Sequence, residues 1–179
     1  MMDVTIETPR LILRQPTDAD VAPLSTMWAD PRVMANLGPV KSAADSLVTL
    51  ARHAQWHDEG LGFRAVVLRD GGATIGFCGL KRGEPGTPIA GEIEAGWMIA
   101  ADHWGRGHAG EAMRAMMAWG WANTDAPRIV AITAARNAAS RAMMEKLGMV
   151  YQAGQDFIHP ARGPDSPLSP TVLYAIARP

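Results

Sequence analysis

The sequence predicts a mixed α/β (α+β) fold in one domain spanning residues 1–179. Three observations carry this. Apolar residues make up 47% and charged residues 20%, the usage of a chain that has a core to bury. Two strand-like segments flank Asp70-Gly71-Gly72 and read as an antiparallel hairpin. Strand and helix patterns then alternate through the second half.

Element by element, residues 4–14 alternate loosely, with Leu11 and Leu13 on one face, and read as a strand. Thr17 and Asp20 have capping-box spacing, and Val21, Leu24 and Trp28 form one helical stripe. Pro23 places the start of that helix near Asp20, so that the proline falls in its first turn, and Asp30-Pro31 ends it. Ser42 and Asp45 form a second box, with Leu47, Leu50, Ala51 and Ala54 as the apolar face and Gly60 as the stop. Strands follow at residues 63–68, 74–80 and 92–99. Residues 109–122, rich in Ala, Met and Trp, predict a largely buried helix. A β-branched strand at 128–134, a helix capped by Asn137 and stopped by Gly148, a strand from Val150, a proline-rich loop at 159–170 and a last strand at 171–177 complete the order.

Composition removes several classes of function. A net charge of −1 and a pI near 6.5 leave no basic excess to hold a phosphate backbone, so no nucleic-acid partner is expected. The apolar run at 115–122 is far short of a membrane span. The opening Met1-Met2-Asp3-Val4-Thr5-Ile6-Glu7 carries acids and no apolar segment, so no signal peptide, no membrane and a cytoplasmic location are expected. Cys78 is the only cysteine, set among Phe77, Gly79 and Leu80, and reads as a packed core thiol. His53 and His57 have metal-ligand spacing but no third ligand, so they read as surface histidines and no metal is expected.

The strongest chemical signal is Trp104-Gly105-Arg106-Gly107-His108-Ala109-Gly110-Glu111, between a strand and a long helix. Glycines let successive N–H groups converge, and the helix N-terminus adds its dipole, which together suit phosphates. A plain tight turn is the competing reading. Gly105, Gly107 and Gly110 also satisfy the dinucleotide fingerprint, but residues 100–104 separate them from the strand, and the next strand ends in Ala135-Arg136-Asn137 without the ribose-binding acid. Glu92 and Glu94, two apart on a strand, share a face and point together into a cleft or to solvent. Asn137 with Ser140 is an N-cap followed by a first-turn serine.

Together these pieces resemble the GNAT superfamily of acyl-CoA-dependent N-acyltransferases, and within it the branch of bacterial ribosomal-protein N-terminal acetyltransferases (RimJ/RimL-like). The resemblance runs through Thr8-Pro9-Arg10-Leu11-Ile12-Leu13-Arg14, Trp28-Ala29-Asp30-Pro31, Ile75-Gly76, Glu94-Ala95-Gly96-Trp97-Met98-Ile99, the glycine loop, Asn137 with Ser140, and Met144-Glu145-Lys146-Leu147-Gly148-Met149. The chain departs from the superfamily pattern at Trp104, where Gln or Arg is usual and this branch commonly has an aromatic.

The resemblance implies a mostly antiparallel, twisted sheet, splayed at its centre between the Glu94 and Ile129 strands, with helices on both faces. It implies acetyl-CoA as cosubstrate, held by Met98, Ile99, Gly105, Arg106, Gly107, His108, Ala109, Gly110, Glu111, Asn137 and Ser140, with Glu94 as general base and Ser140 near the departing sulfur. A backbone N–H near Met98 or Ile99 would stabilise the oxyanion, and Asn137 would bond the pantetheine arm. The partner is an amine, a protein N-terminus or a small molecule, and the resemblance leaves a homodimer open. Two rivals remain: a non-catalytic acyl-CoA-binding domain and an NADP-dependent oxidoreductase. The acceptor side falls to residues 29–42, 83–91 and 157–170, which offer Arg32, Lys41, Glu84, Asp156, His159, Arg162 and Asp165, a mixed set with no charge preference.

Overall fold

The computed structural model describes residues 4–179. Its strands are β1 (Ile6–Glu7), β2 (Leu11–Arg14), β3 (Gly62–Leu68), β4 (Thr74–Arg82), β5 (Ile93–Ile99), β6 (Arg128–Ala134), β7 (Val150–Tyr151), β8 (Phe157–Ile158) and β9 (Pro170–Ala177). Its α-helices are α1 (Asp18–Ala29), α2 (Pro31–Met34), α3 (Ala43–Ala54), α4 (His108–Asn123) and α5 (Ala138–Lys146). The strands form one sheet in the order β1-β2-β3-β4-β5-β6-β9-β7, with β8 on β9. Every pairing is antiparallel except β5 with β6.

That one parallel pairing shapes the molecule. β5 and β6 are in register only at Ile93↔Ile129 and Glu94↔Val130, then part. β5 nevertheless stays on β4 through Gly76↔Ile99. The sheet thus splits into a V at its middle, as the resemblance implied. A doubly wound parallel sheet, which a dinucleotide fold needs, is not what these strands form.

The core fills around the V. Met113, Met116 and Met117 of α4 lie against Leu80, Ile93 and Ile129, and Met144 of α5 joins them. Trp28 of α1 meets Phe77 edge-on, with ring centroids 5.4 Å apart. Cys78 is fully buried, as read from its neighbours.

Three details correct the sequence reading. The predicted first strand is broken at its middle: Thr8 N–H bonds Leu11 C=O, turning the chain so that β1 pairs back on β2. Pro9, with no N–H to give a ladder, sits in that corner. α1 begins at Asp18, so Pro23 is in the helix interior rather than its first turn. The short helix α2 follows Asp30, whose carboxylate accepts the Arg32 N–H, with Pro31 as its first residue.

Of the apolar face expected for α3, only Leu50 packs on the core. Ser46, Thr49 and His53 are buried, whereas Leu47 and Val48 are 54% and 68% exposed, and Ala51 and Ala54 are exposed too. The Ser46 and Thr49 hydroxyls donate to the Ser42 and Asp45 carbonyls, each at 2.9 Å, so their burial leaves no unmet donor. His53 stacks on Phe63 with centroids 4.2 Å apart. It is therefore a buried residue and not a surface histidine.

Candidate active site

Two clefts meet in the V. One, of about 690 Å³, is lined by Trp97, Met98 and Ile99 of β5, the glycine loop, the start of α4, and Asn137, Ser140 and Lys146. The other, of about 590 Å³, holds Glu94, Lys81, His53 and Ser140 and is closed by the loop from His159 to Leu168. Ser140, Trp97, Met98 and Leu37 line both.

The glycine loop is built for close approach. Gly105 and Gly107 sit at φ +72° and +79°, in the left-handed region. Gly107 is the N-cap of α4, and a Cβ on Gly105 would meet nothing within 4 Å on the protein side. The opening N–H groups of α4, from His108 to Gly110, have no carbonyl one turn earlier to bond. The cleft they face contains Arg32, Arg114 and Lys146 among its lining and no carboxylate. Converging N–H groups, a helix N-terminus and the cations Arg114 and Lys146 suit a chain of phosphates, whereas Arg32 is already paired with Asp30 and Asp102. Arg114, one turn after Gly110, escaped the sequence reading; its signal was the i, i+4 spacing that brings its guanidinium over the loop.

Two residues expected to touch the cofactor do other work. Glu111 accepts from Thr8 Oγ1 at 2.6 Å, from the Arg10 N–H at 2.9 Å and from Arg10 Nε at 2.6 Å, which ties the β1–β2 corner to α4. Neither it nor Arg106 lines the cleft; the Arg106 carbonyl accepts from Arg10 Nη1. Trp104, at the position where the family pattern is broken, donates its indole N–H to the Ile99 carbonyl at 2.7 Å and closes the turn after β5.

The backbone of β5 assigns the oxyanion donors by alternation. Ala100 N–H bonds Ile75 C=O and Gly83 N–H bonds Glu92 C=O, so the paired residues Phe77 and Met98, two positions along, also exchange their bonds. Met98 therefore turns its N–H to β4 and not into the V. The N–H groups of Trp97 and Ile99 face the gap that β6 leaves.

At the start of α5, Asn137 Oδ1 accepts the Ser140 N–H at 3.2 Å, the expected cap. Its Nδ2 donates to Thr133 Oγ1 and to Ser140 Oγ, both at 3.0 Å. The side chain is thereby used up inside the protein and has no donor left for a pantetheine arm. Ser140 Oγ, accepting from Asn137, keeps its own O–H to donate into the cleft.

Glu94 lies at the bottom of the V, 8% exposed, with Oε2 2.5 Å from Lys81 Nζ. Burial pushes its carboxyl above the usual carboxylate range, against the pull of Lys81. Glu92 does not join it. Glu92 precedes β5 and receives Arg128 through two bonds of 2.6 and 2.7 Å, outside the cleft. Among the described residues, no group of three His, Cys, Asp or Glu side chains is placed to hold a metal. No helix among them is long and apolar enough to cross a membrane.

Comparison with known proteins agrees with this geometry. Residues 10–150 match the family model described as an acetyltransferase (GNAT) domain. The uncharacterised protein YkkB of Bacillus subtilis (strain 168) is 31% identical over 147 residues, covering 80% of this chain and 84% of that one. An acetyltransferase from Agrobacterium tumefaciens str. C58 has a TM-score of 0.78 at 27% identity, covering 98% of this chain and 95% of that one. The Salmonella typhimurium acetyltransferase that modifies the N-terminal serine of the 50S ribosomal protein L7/L12 shares the fold, with a TM-score of 0.77 at 16% identity over 97% of this chain and 99% of that one. With the V, the glycine loop and the family match in agreement, this chain belongs to the GNAT family of acetyltransferases.

Proposed function

We propose that the protein transfers an acetyl group from acetyl-CoA to a primary amine, by direct attack of the amine on the thioester. The observation that carries this is the meeting of the two clefts at Ser140 and Met98, one suited to phosphates and the other holding a buried carboxylate. The thioester would sit at that junction, within reach of an amine entering from the other side.

An α-amine with a pKa near 8 is roughly 10% neutral at pH 7, and a lysine amine about 0.04%. A base is therefore useful, and Glu94, held above the ordinary carboxylate range by burial, is suited to accept the amine's proton directly or through a water. The new C–N bond forms as electrons move onto the carbonyl oxygen, which would then accept a hydrogen bond from the Trp97 or Ile99 N–H. The C–S bond then breaks, and the sulfur takes a proton or hydrogen bond from Ser140 Oγ. No covalent enzyme intermediate is needed. Cys78, buried, with its thiol pushed up to about 12 by desolvation, is unsuited to serve as a nucleophile.

A ribosomal N-terminus is the acceptor of the Salmonella relative, and an N-terminal α-amine is the first acceptor to try here. Purified protein, acetyl-CoA and a panel of peptides and small amines, read by mass, test the proposal: a +42 Da product that requires the protein supports it. Heat of binding with acetyl-CoA but acetylation of no amine would leave a binding domain instead.

A further inference from the structure

We infer that the acceptor is an amine that also carries a carboxylate or similar anion, bound by Arg162, Arg52 and Lys41 while its amine faces Glu94. This rests on the acetyl-transfer reading of the same cleft and names the acceptor class that reading leaves open.

The acceptor loops looked charge-neutral in the sequence because acids and bases were mixed. Folding sorts them. Lys41, Glu84, His159 and Arg162 line the cleft, whereas Asp156 and Asp165 do not, and Asp156 is bonded to the Tyr151 hydroxyl. Arg52 of α3 and Lys81 of β4 enter from outside those loops. Four cations therefore face two carboxylates, Glu84 and Glu94. Both carboxylates converge on the same lysine, since Lys81 Nζ is 2.5 Å from Glu94 and 3.9 Å from Glu84.

The other three cations feel carboxylates only at longer range, Arg162 from Glu84, Arg52 from Glu94 and Lys41 from Asp45. Among the described residues no carboxylate forms an ion pair with Lys41, Arg52 or Arg162. Arg162 is the most telling. It is half-buried, its only side-chain hydrogen bond runs from Nη1 to the Leu168 carbonyl, and burial acts against its charge more than the distant Glu84 favours it. A guanidinium taken partly out of water without a carboxylate in contact is costly, and an anion in the cleft offsets that cost with a bidentate pair. His53 reports the same field. Its imidazole is held neutral, near 3, first by burial and then by Arg52, Lys81 and Lys41 around it. It adds no charge, and its Nδ1 has no partner. A polyamine, with a second cation where these three stand, is disfavoured by repulsion.

The test compares acceptors of one length that differ in end charge: 4-aminobutyrate, 4-aminobutanamide and 1,4-diaminobutane. A parallel arm uses tripeptide amides with glutamate, glutamine or lysine in second place, and whichever arm is faster says whether the anion comes from a small molecule or an acidic peptide. In the favoured arm kcat/KM should fall roughly ten- to hundredfold from carboxylate to carboxamide and further for the ammonium. Arg162→Gln should raise KM for the carboxylate acceptor by about that factor and narrow the gap between acceptors. Arg52→Gln, on an exposed face of α3, serves should the first variant fail to fold. An ammonium acceptor as good as the carboxylate, or variants that slow all acceptors alike, would overturn the inference. If no amine is acetylated, the transfer reading fails, and calorimetry with 4-aminobutyrate and the glutamate peptide still decides the charge preference. Binding of either that is lost in Arg162→Gln sustains it, and no binding of either ends it.

Discussion

Lys81 and Glu94 stand opposite each other on the last rung that β5 shares with both of its neighbours, their Nζ and Oε2 atoms 2.5 Å apart. Burial raises the Glu94 carboxyl, and the lysine pulls against that rise without cancelling it. If Glu94 is the base, Glu94→Gln should lower kcat by roughly 100-fold or more with little change in acetyl-CoA affinity, and the loss should shrink as pH rises and more amine is neutral. A higher acceptor KM with kcat intact would instead make Glu94 an acceptor-binding residue.

The same pair predicts a pH shift. Glu94 acts when ionised, so activity is lost as pH falls through its raised pKa. Lys81→Met removes the attraction and leaves burial unopposed, which raises that pKa further. The acidic limb of kcat/KM should move to higher pH, with activity recovered at alkaline pH. An unmoved limb would separate Lys81 from the base.

Gly107→Val should weaken acetyl-CoA binding at least tenfold by calorimetry. The substitution places a β-branched residue at φ +79° at the N-cap of α4, which lines the phosphate cleft, with its Cβ against Arg10 Nη2. Gly71→Val, at φ +77° in the β3–β4 turn with open space around it, is the control for backbone strain alone. Equal losses of affinity in both would remove the loop from cofactor binding.

Asn137 and Ser140 separate stability from turnover. Asn137→Ala should cost about 1 kcal/mol through the lost cap, read by denaturant unfolding, and should also slow turnover by freeing Ser140. Ser140→Ala should leave stability nearly unchanged and lower kcat roughly tenfold or more. Unchanged turnover in Ser140→Ala would exclude it as proton donor.

Asp20 is a purely structural case. Burial raises its pKa, but bonds from Arg14, Thr74 and Thr17 outweigh that and hold it well below the usual range. A depressed folded pKa contributes stability above the unfolded value near 4 and loses it as pH falls below. Asp20→Ala should cost about 3 kcal/mol at pH 7, with a smaller difference in acid. A difference independent of pH would contradict the ionic account.

Much of this was legible in the chain. Both capping boxes announced their helices because the chemistry is local: Ser42 and Asp45 bond each other whatever surrounds them. The glycine loop was legible for the same reason. What stayed hidden depends on partners far off in sequence. Arg128 claims Glu92 from 36 residues away, so strand spacing alone put both glutamates on one face. Arg10 claims Glu111 across the fold, and the buried side of α3 is polar because in-helix hydroxyl bonds let it be. Arg52 was invisible as an acceptor-side residue because it lies on a helix outside every loop that faces the cleft.

The two-rung seam between β5 and β6 has a consequence for amide exchange with deuterium. Mid-sheet amides ordinarily exchange only on global unfolding, yet Trp97 and Ile99, in the C-terminal half of the central strand β5, have their N–H groups on the side β6 has abandoned. They should exchange orders of magnitude faster than Met98 beside them, which is bonded to β4, giving an alternating fast–slow record along one central strand. Acetyl-CoA seated in the V would act as the missing neighbour strand, and protection at those two positions would trace where it lies.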